Sequence, residues 1–404
     1  MEETSNTEQA ATIVAFSCRP NSGSEWGVGW NYLLMLSKLF ASVNLYVRNA
    51  EEQQERIRLE LDKLQIENVN LIAVDDLTIL NKFSYFFKSS RSLAVVYYFW
   101  LLKVLYILIR NKGWNYSTHI FHITWVSDWI WTPFFLLPYK KKVLGPLGSQ
   151  PPNFNNSSPD FYRSRIRYVI KFILRVNPLN WLNAFVSTKA IGISKKSIDR
   201  LPWSLVKDRI VISPVHSEMK NTTFSRDNAE VLLFIGKHLD FKNLDLFIHV
   251  ARRCLLVRPT MKVVILGDSA GQVSEDLISL ESDFPDRVLV KGKVDHSEVE
   301  KILCSHKTIM LQTSSEAGGT APIESITCGS PVVCVNGFGI SAFLESSYQL
   351  GIDFLDRDDF VLKAESLLRE IWTDYEAFSD KAANLASKFT HEFTLAELKK
   401  FLDS

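Results

Sequence analysis

Short apolar runs of strand length recur along this chain, each followed by a charged or amphipathic stretch. That alternation limits the fold more than any single motif does. The run TIVAF at residues 12–16 leads into a turn-rich segment, CRPNSGSEWGVGW, and then a helical pattern to about residue 40. Strands are predicted at 43–47 and 69–73 around a charged helix ending near residue 64, and further strands at 119–123, from 142, at 190–194 and at 209–213. A second series opens at 231–235, with a helix over 244–257, strands at 262–266 and 288–290, and a helix capped by Ser297-x-x-Glu300. Strands and helices in alternation argue for doubly wound parallel sheets, and 404 residues exceed a typical single core. The predicted layout is a polar tail (1–10), a first α/β domain (11–213), a polar linker (214–228), a second α/β domain (229–375) and a helical segment (376–404). No repeat of 20 to 50 residues stands out.

The stretch QTSSEAGGTAPIESITCGSPVVCV, residues 312–335, concentrates the candidate chemistry. It reads as a strand end, a glycine loop, a short helix and another strand. Glu316 and Glu324 bracket Gly318, Gly319 and Thr320, and Pro322 suits the first turn of a helix over 323–328 that Gly329 and Pro331 stop. A glycine loop feeding a helix start presents unpaired N–H groups and the positive dipole end to an anion such as phosphate. Glu324, expected on the first turn, can accept hydrogen bonds from vicinal hydroxyls. An anion site beside a diol site suggests a nucleotide.

Two further segments carry candidate residues. After the 231–235 strand, GKHLDFKN places Lys237 and Lys242 where two ammonium groups can neutralise a diphosphate. In the first half, Gly23 and Ser24 open the helix after the first strand, with Ser24 as its N-cap and Glu25 next in line. His122 stands at a strand end, facing the crevice where such folds bind ligands, and Asp128 follows in the loop. Two readings of His122 stay open, a satisfied core histidine or a ligand contact.

The order strand, E-x7-E, helix, CGSPVV resembles the donor-binding core of retaining family-4 glycosyltransferases with the GT-B fold. The resemblance is to a subset that builds bacterial surface polysaccharides such as O-antigen and exopolysaccharide, through the first glycine loop GSEWGVGW. It implies an α/β fold of the GT-B type, with two doubly wound, Rossmann-like parallel-sheet domains facing across a cleft and the last helix returning to the first domain. It also implies a metal-independent, retaining transferase of the hexosyltransferase type. In that family the second glutamate, here Glu324, holds the nucleotide ribose. The first, here Glu316, lies at the transferred sugar, beside the strand-end histidine, here His122. The donor site then comprises Gly23, Lys237, Lys242, Glu316, Gly318, Gly319, Thr320 and Glu324, with Glu316, His122 and Lys242 nearest the reaction. Ser24, Glu25, Asp128 and the loop at 145–154 lie toward the acceptor. Lys237 stands where the family usually has arginine, and forfeits its planar fork. The expected partners are a nucleotide-sugar donor and a lipid-linked glycan acceptor, without cofactor or metal. A nucleotide-sugar epimerase of similar shape, or a non-catalytic nucleotide-sugar-binding protein, remains an alternative. Inversion would require His122 as general base.

Lys and Arg number 46 against 45 Asp and Glu, so nucleic acid is not a favoured partner. Five cysteines without metal-ligand spacing read as buried thiols in a reducing compartment. The polar start MEETSNTEQA lacks the apolar region of a signal peptide, which predicts a cytoplasmic protein. Residues 83–112 are the most apolar part of the chain. Two readings stay open there, a buried helix of the first domain or an interfacial helix, with aromatics and cations at 83–91 meeting anionic lipid at the inner face of the membrane.

Overall fold

The computed structural model describes residues 9–20, 22, 24–49, 53–76, 90–126, 130–148, 169, 173, 176–199, 201–213, 226–236, 242–267, 274–313, 319–336, 339–344, 351–352 and 357–404. The chain divides into two compact units. Met1–Ser149, Ile166–Val215 and Leu395–Ser404 belong to the first, and His216–Thr394 is the body of the second. The division falls within the 214–228 stretch.

In the first unit, β1 (Ala10–Ala15), β2 (Ser42–Arg48), β3 (Val69–Val74), β4 (His119–His122), β5 (Lys141–Leu147), β6 (Lys189–Gly192) and β7 (Asp208–Val211) form one sheet. Its order is β3-β2-β1-β4-β5-β6-β7, and every neighbouring pair is parallel. Successive side chains of β1 point to opposite faces. Ala11, Ile13 and Ala15 join a core with Leu33 and Leu36 of helix α1 (Ser24–Leu39). Val14 and Phe16 join another with Tyr97, Trp100 and Val104 of the helix Ser90–Arg110. Cover on both faces explains why β1 reads as an unbroken apolar run.

The second unit has β8 (Glu230–Ile235), β9 (Lys262–Leu266), β10 (Val288–Lys291), β11 (Lys307–Gln312), β12 (Val332–Val335) and β13 (Gly351–Ile352) in the order β10-β9-β8-β11-β12-β13, again parallel. In each sheet the order reverses beside the first strand, between β1 and β4 and between β8 and β11. Ligands of open α/β sheets bind at such switch points.

Several local expectations need correction. The helix assigned to a Ser297 cap starts at His296 with Asp295 as N-cap, so Ser297 lies inside it. The terminal helical run breaks into Tyr375–Ala386 and His391–Asp403 around a short turn, Ser387–Phe389. The break has a local cause: Phe389 turns into the core, and the Thr390 hydroxyl accepts the Phe393 N–H at 3.2 Å as an N-cap. Leu398, Phe401 and Leu402 then complete the core under β1 and α1. Lys189 of β6 fixes that return. Its fully buried ammonium donates to the Phe401 carbonyl at 2.6 Å and to the Ser404 hydroxyl at 3.0 Å, with the Asp208 carboxylate at 3.6 Å. None of the five cysteines forms a disulfide, and four are buried. Among the described residues no helix is long and apolar enough to cross a membrane. The aromatic and cationic residues at 83–89 lie outside the described residues.

Candidate active site

The switch point of the second unit is built from chain ends that leave β8 and β11 side by side, in register from Lys307 opposite Glu230 to Met310 opposite Leu233. Gly236 follows β8, and the chain is next described at Lys242 and Asn243, just before the helix Leu244–Val257. Asn243 adopts a left-handed conformation, φ 50°, which asparagine tolerates better than most residues. Its buried amide donates to the Thr313 carbonyl at 2.9 Å, and the Thr313 hydroxyl donates to the Lys242 carbonyl at 2.8 Å. These two bonds tie the Lys242 backbone to the end of β11. The lysine stem lies over Gly236, where a Cβ would come within 3.3 Å of its Cδ and Cε and 3.5 Å of Nζ.

On the other side of Thr313, Gln312 reaches the start of the helix Thr320–Thr327. Gly319 is its N-cap residue, in extended conformation, and no side chain among the described residues caps this helix start. Its first N–H groups are therefore suited to an external acceptor. A Cβ on Gly319 would stand 3.2 Å from Gln312 Nε2 and 3.3 Å from Pro322 Cδ, so glycine permits the close approach. The Gln312 side chain is buried, and its amide oxygen has no hydrogen-bond partner among the described residues. Because the helix begins at Thr320 rather than 323, Glu324 stands on its second turn, half-buried, instead of its first. The stop is as read from the sequence. Gly329 takes φ +67°, its N–H reaches the Ile326 carbonyl at 2.8 Å and the Ser330 N–H reaches Ser325 at 2.9 Å, the paired bonds of a Schellman motif.

At the first unit's switch point, the glycines of GSEWGVGW have a packing role. A Cβ on Gly27 or Gly29 would fall 2.1 Å from the carbonyl oxygen of Ser22 or Ser17, so α1 presses directly on the turn after β1. The helix starts at Ser24, which is its first residue rather than the flanking cap. Glu25 Oε2 accepts the Trp125 N–H at 3.1 Å. Trp125 has φ 61°, a strained conformation for so bulky a residue, and its indole N–H donates to the Ser17 hydroxyl at 2.9 Å. Much of Glu25 faces solvent, yet its carboxyl is crowded by protein atoms. Burial pushes its pKa up, against the Trp125 N–H that lowers it.

His122 is fully buried, and both ring nitrogens are occupied. Nε2 lies 2.7 Å from the Tyr97 hydroxyl and Nδ1 2.8 Å from the Thr132 hydroxyl, with Phe134 edge-on at 5.2 Å. Burial pulls its pKa down to about 3, so the ring is neutral across the physiological range. A ring with no exposed surface in this state anchors the end of β4, which is the core-histidine alternative of the two read from the sequence.

Gly23, Asp128, Lys237, Glu316 and Gly318 lie outside the described residues. The structure brings Lys242, Gly319, Thr320 and Glu324 to one switch point and His122 and Glu25 to the other. Sequence reasoning missed Asn243, Gln312 and Thr313. Their signal was positional, since Gln312 ends β11, Thr313 directly follows it and Asn243 directly precedes the helix Leu244–Val257. Among the described residues, no three His, Cys, Asp or Glu side chains cluster to hold a metal ion.

Comparison with known proteins bears on both units. Residues 216–384 match the family model described as Glycosyl transferases group 1. The phosphatidylinositol N-acetylglucosaminyltransferase gpi3 subunit of Schizosaccharomyces pombe is 28% identical over 154 residues, 38% of this chain. The match spans only about a third of that relative, 32% of its length. Among solved structures, TarM of S. aureus superposes with a TM-score of 0.65 at 15% identity, covering 98% of this chain and 99% of TarM. Anabaena HepE, solved in complex with UDP, gives 0.60 at 12% identity, covering 98% and 99%. The chain therefore has the two-sheet fold of the GT-B glycosyltransferases, and its second unit matches the Glycosyl transferases group 1 model over residues 216–384.

Proposed function

We propose that this protein is a retaining, metal-independent glycosyltransferase that moves a sugar from a nucleotide donor to a hydroxyl of a lipid-linked glycan, in bacterial surface polysaccharide synthesis. The observation that carries the donor half is the junction at Gln312 and Thr313, which joins Lys242 on one side to the uncapped helix start at Gly319 and Thr320 on the other. A cation and a helix N-terminus at one switch point suit a diphosphate. HepE and TarM were solved with UDP, which makes UDP the first nucleotide to test. The acceptor half draws support from the distant likeness to a subunit named for phosphatidylinositol.

In this reading Lys242, the helix start and Lys237 stabilise the diphosphate as it leaves. Glu324 holds the ribose hydroxyls, and Glu316 a hydroxyl of the transferred sugar. The anomeric carbon–oxygen bond to phosphate breaks, the acceptor oxygen bonds the same face, and the acceptor proton passes to the departing phosphate oxygen. No protein base is needed. His122, buried with both nitrogens bonded, supports this over inversion, because a neutral core ring of low basicity is a poor general base. Its role is to position β4 and the Thr124–Trp125 turn, whose Trp125 N–H donates to the Glu25 carboxylate.

Calorimetry tests the donor site. Glu324→Ala should weaken UDP binding by ~1.5–3 kcal/mol, the worth of a charge-assisted hydrogen bond. UDP binding and sugar transfer should both survive EDTA. Unchanged affinity in Glu324→Ala would remove the ribose role, and activity abolished by EDTA and restored by Mg²⁺ would remove the metal-free mechanism.

A further inference from the structure

Gln312 closes β11 at a place where an apolar residue would pack. Thr308, Ile309, Met310 and Leu311 before it are buried, and across the sheet it stands opposite the buried Cys334 of β12. Methionine has nearly the same length and would fill this place, whereas a buried amide carbonyl without a partner opposes folding. The polar side chains beside it are engaged with one another. The Asn243 amide donates to the Thr313 carbonyl, and the Thr313 hydroxyl to the Lys242 carbonyl. Gln312 is left over, only 6% exposed and with its amide oxygen unbonded among the described residues.

The amide nitrogen borders the start of the helix Thr320–Thr327. Gly319, the N-cap residue, has φ 178°, extended backbone that any residue adopts, so glycine is not required there by conformation. What it leaves is space. A Cβ on Gly319 would meet Gln312 Nε2 at 3.2 Å and the Pro322 ring at 3.3 Å, so the amide and the first turn of the helix face one gap. Donors collect around that gap. Gly319, Thr320 and Ala321 carry N–H groups with no intrahelical acceptor. Pro322, the third residue of the helix, has no N–H, which leaves the turn one donor short. Gln312 Nε2 stands beside the proline and can supply that donor. No side chain among the described residues caps the helix, so the convergent N–H groups suit an acceptor from outside with several oxygens.

We infer that Gln312 is a donor-binding residue of this site, its Nε2 donating to an oxygen of a diphosphate seated on the helix start, in place of the N–H that Pro322 lacks. The inference deepens the proposed function and rests on that reading for the nucleotide. An amide that opposes folding in the empty site and contributes only in the filled one separates binding from stability, and the separation can be measured.

Calorimetric titration of the full chain with UDP and with inorganic pyrophosphate, beside thermal melts, tests this. Gln312→Met, or the branched Gln312→Leu, should weaken both ligands about tenfold or more. The melting temperature should equal or exceed that of the parent, because an unpaired buried carbonyl is removed. Gln312→Glu, which sets an anionic acceptor against the phosphate, should weaken them further. Because the amide is neutral, the loss in Gln312→Met should persist at high salt, whereas the loss in Lys242→Ala should shrink. Parental affinity for both ligands in either folded apolar variant overturns the inference and leaves the donor site standing, and a lowered melting temperature with unchanged affinity assigns Gln312 a purely structural role. Pyrophosphate binding that depends on Gln312 in a chain that does not bind UDP keeps the inference and removes the nucleotide reading. A parent that binds neither ligand overturns both.

Discussion

Substitution of Gly236 probes whether Lys242 acts on the donor. Gly236 ends β8 with its N–H bonded to the Leu266 carbonyl at 2.9 Å and does not occupy the left-handed region, so a larger residue leaves that bond and the backbone conformation intact. What changes is the space above it, where a Cβ meets the Lys242 stem at 3.3 Å. Alanine asks the flexible stem to yield by a few tenths of an ångström. Valine adds two methyl groups where the stem now lies and should displace the ammonium. If the ammonium makes a charge-assisted contact to phosphate, its loss is worth ~1.5–3 kcal/mol, or roughly 10- to 150-fold in Kd. Calorimetric titration with UDP at fixed salt should give little change for Gly236→Ala and that loss for Gly236→Val. Because the proposed effect passes through the lysine, Gly236→Val should add less than about 0.5 kcal/mol in a Lys242→Ala background. A full-sized effect of Gly236→Val without the lysine, or undiminished UDP affinity in Lys242→Ala, would refute the reasoning.

Two further outcomes follow from buried titratable groups. His122 and His119 have pKa values pulled down by burial to about 3 and about 4, whereas unfolded histidine titrates near 6.5. The unfolded state therefore binds more protons as pH falls below about 6.5, and each histidine should reduce stability by up to ~1.4 kcal/mol per pH unit until its folded pKa is reached. Thermal melts of the first unit's signal should drop across this window, less steeply in His122→Phe, and a flat profile would contradict the buried neutral ring. Lys189→Ala leaves the Phe401 carbonyl without its ammonium and opens a cavity, so destabilisation of ~2–4 kcal/mol is expected. Limited proteolysis should then cut within 391–403 first, and unchanged protection would show that the lysine does not secure the terminal helix.

The fold was legible because apolar periodicity reports burial directly. The helix Leu244–Val257 and the strand Lys262–Leu266 fall where their sequence pattern puts them, since each has one unambiguous apolar face or run. What the sequence hid were features decided by single hydrogen bonds or by tertiary neighbours. The break at Ser387–Phe389 depends on the Thr390 cap, which propensity over a long helical window averages away. His122 carried the same residue type for a ligand contact and for a core anchor. Only Tyr97 and Thr132, 25 and 10 residues away, decide which it is in this structure. The helix Pro178–Val186 shows the limit from the other side, because its alternating asparagine and apolar residues give an amphipathic pattern without saying which face turns in, and it is Asn180 and Asn183 that are buried.

The most direct test is transfer itself. Radiolabelled UDP-glucose, UDP-galactose and UDP-N-acetylglucosamine, each α-linked, are incubated with the full chain, EDTA and a bacterial membrane lipid extract, and the lipid product is analysed by NMR. The account predicts label in the lipid fraction from one donor, with an α-linkage, and loss of that transfer in Glu324→Ala. A β-linked product would contradict retention. A folded protein that binds UDP but yields no transfer, or that epimerises donor without acceptor, would contradict glycosyl transfer as its function.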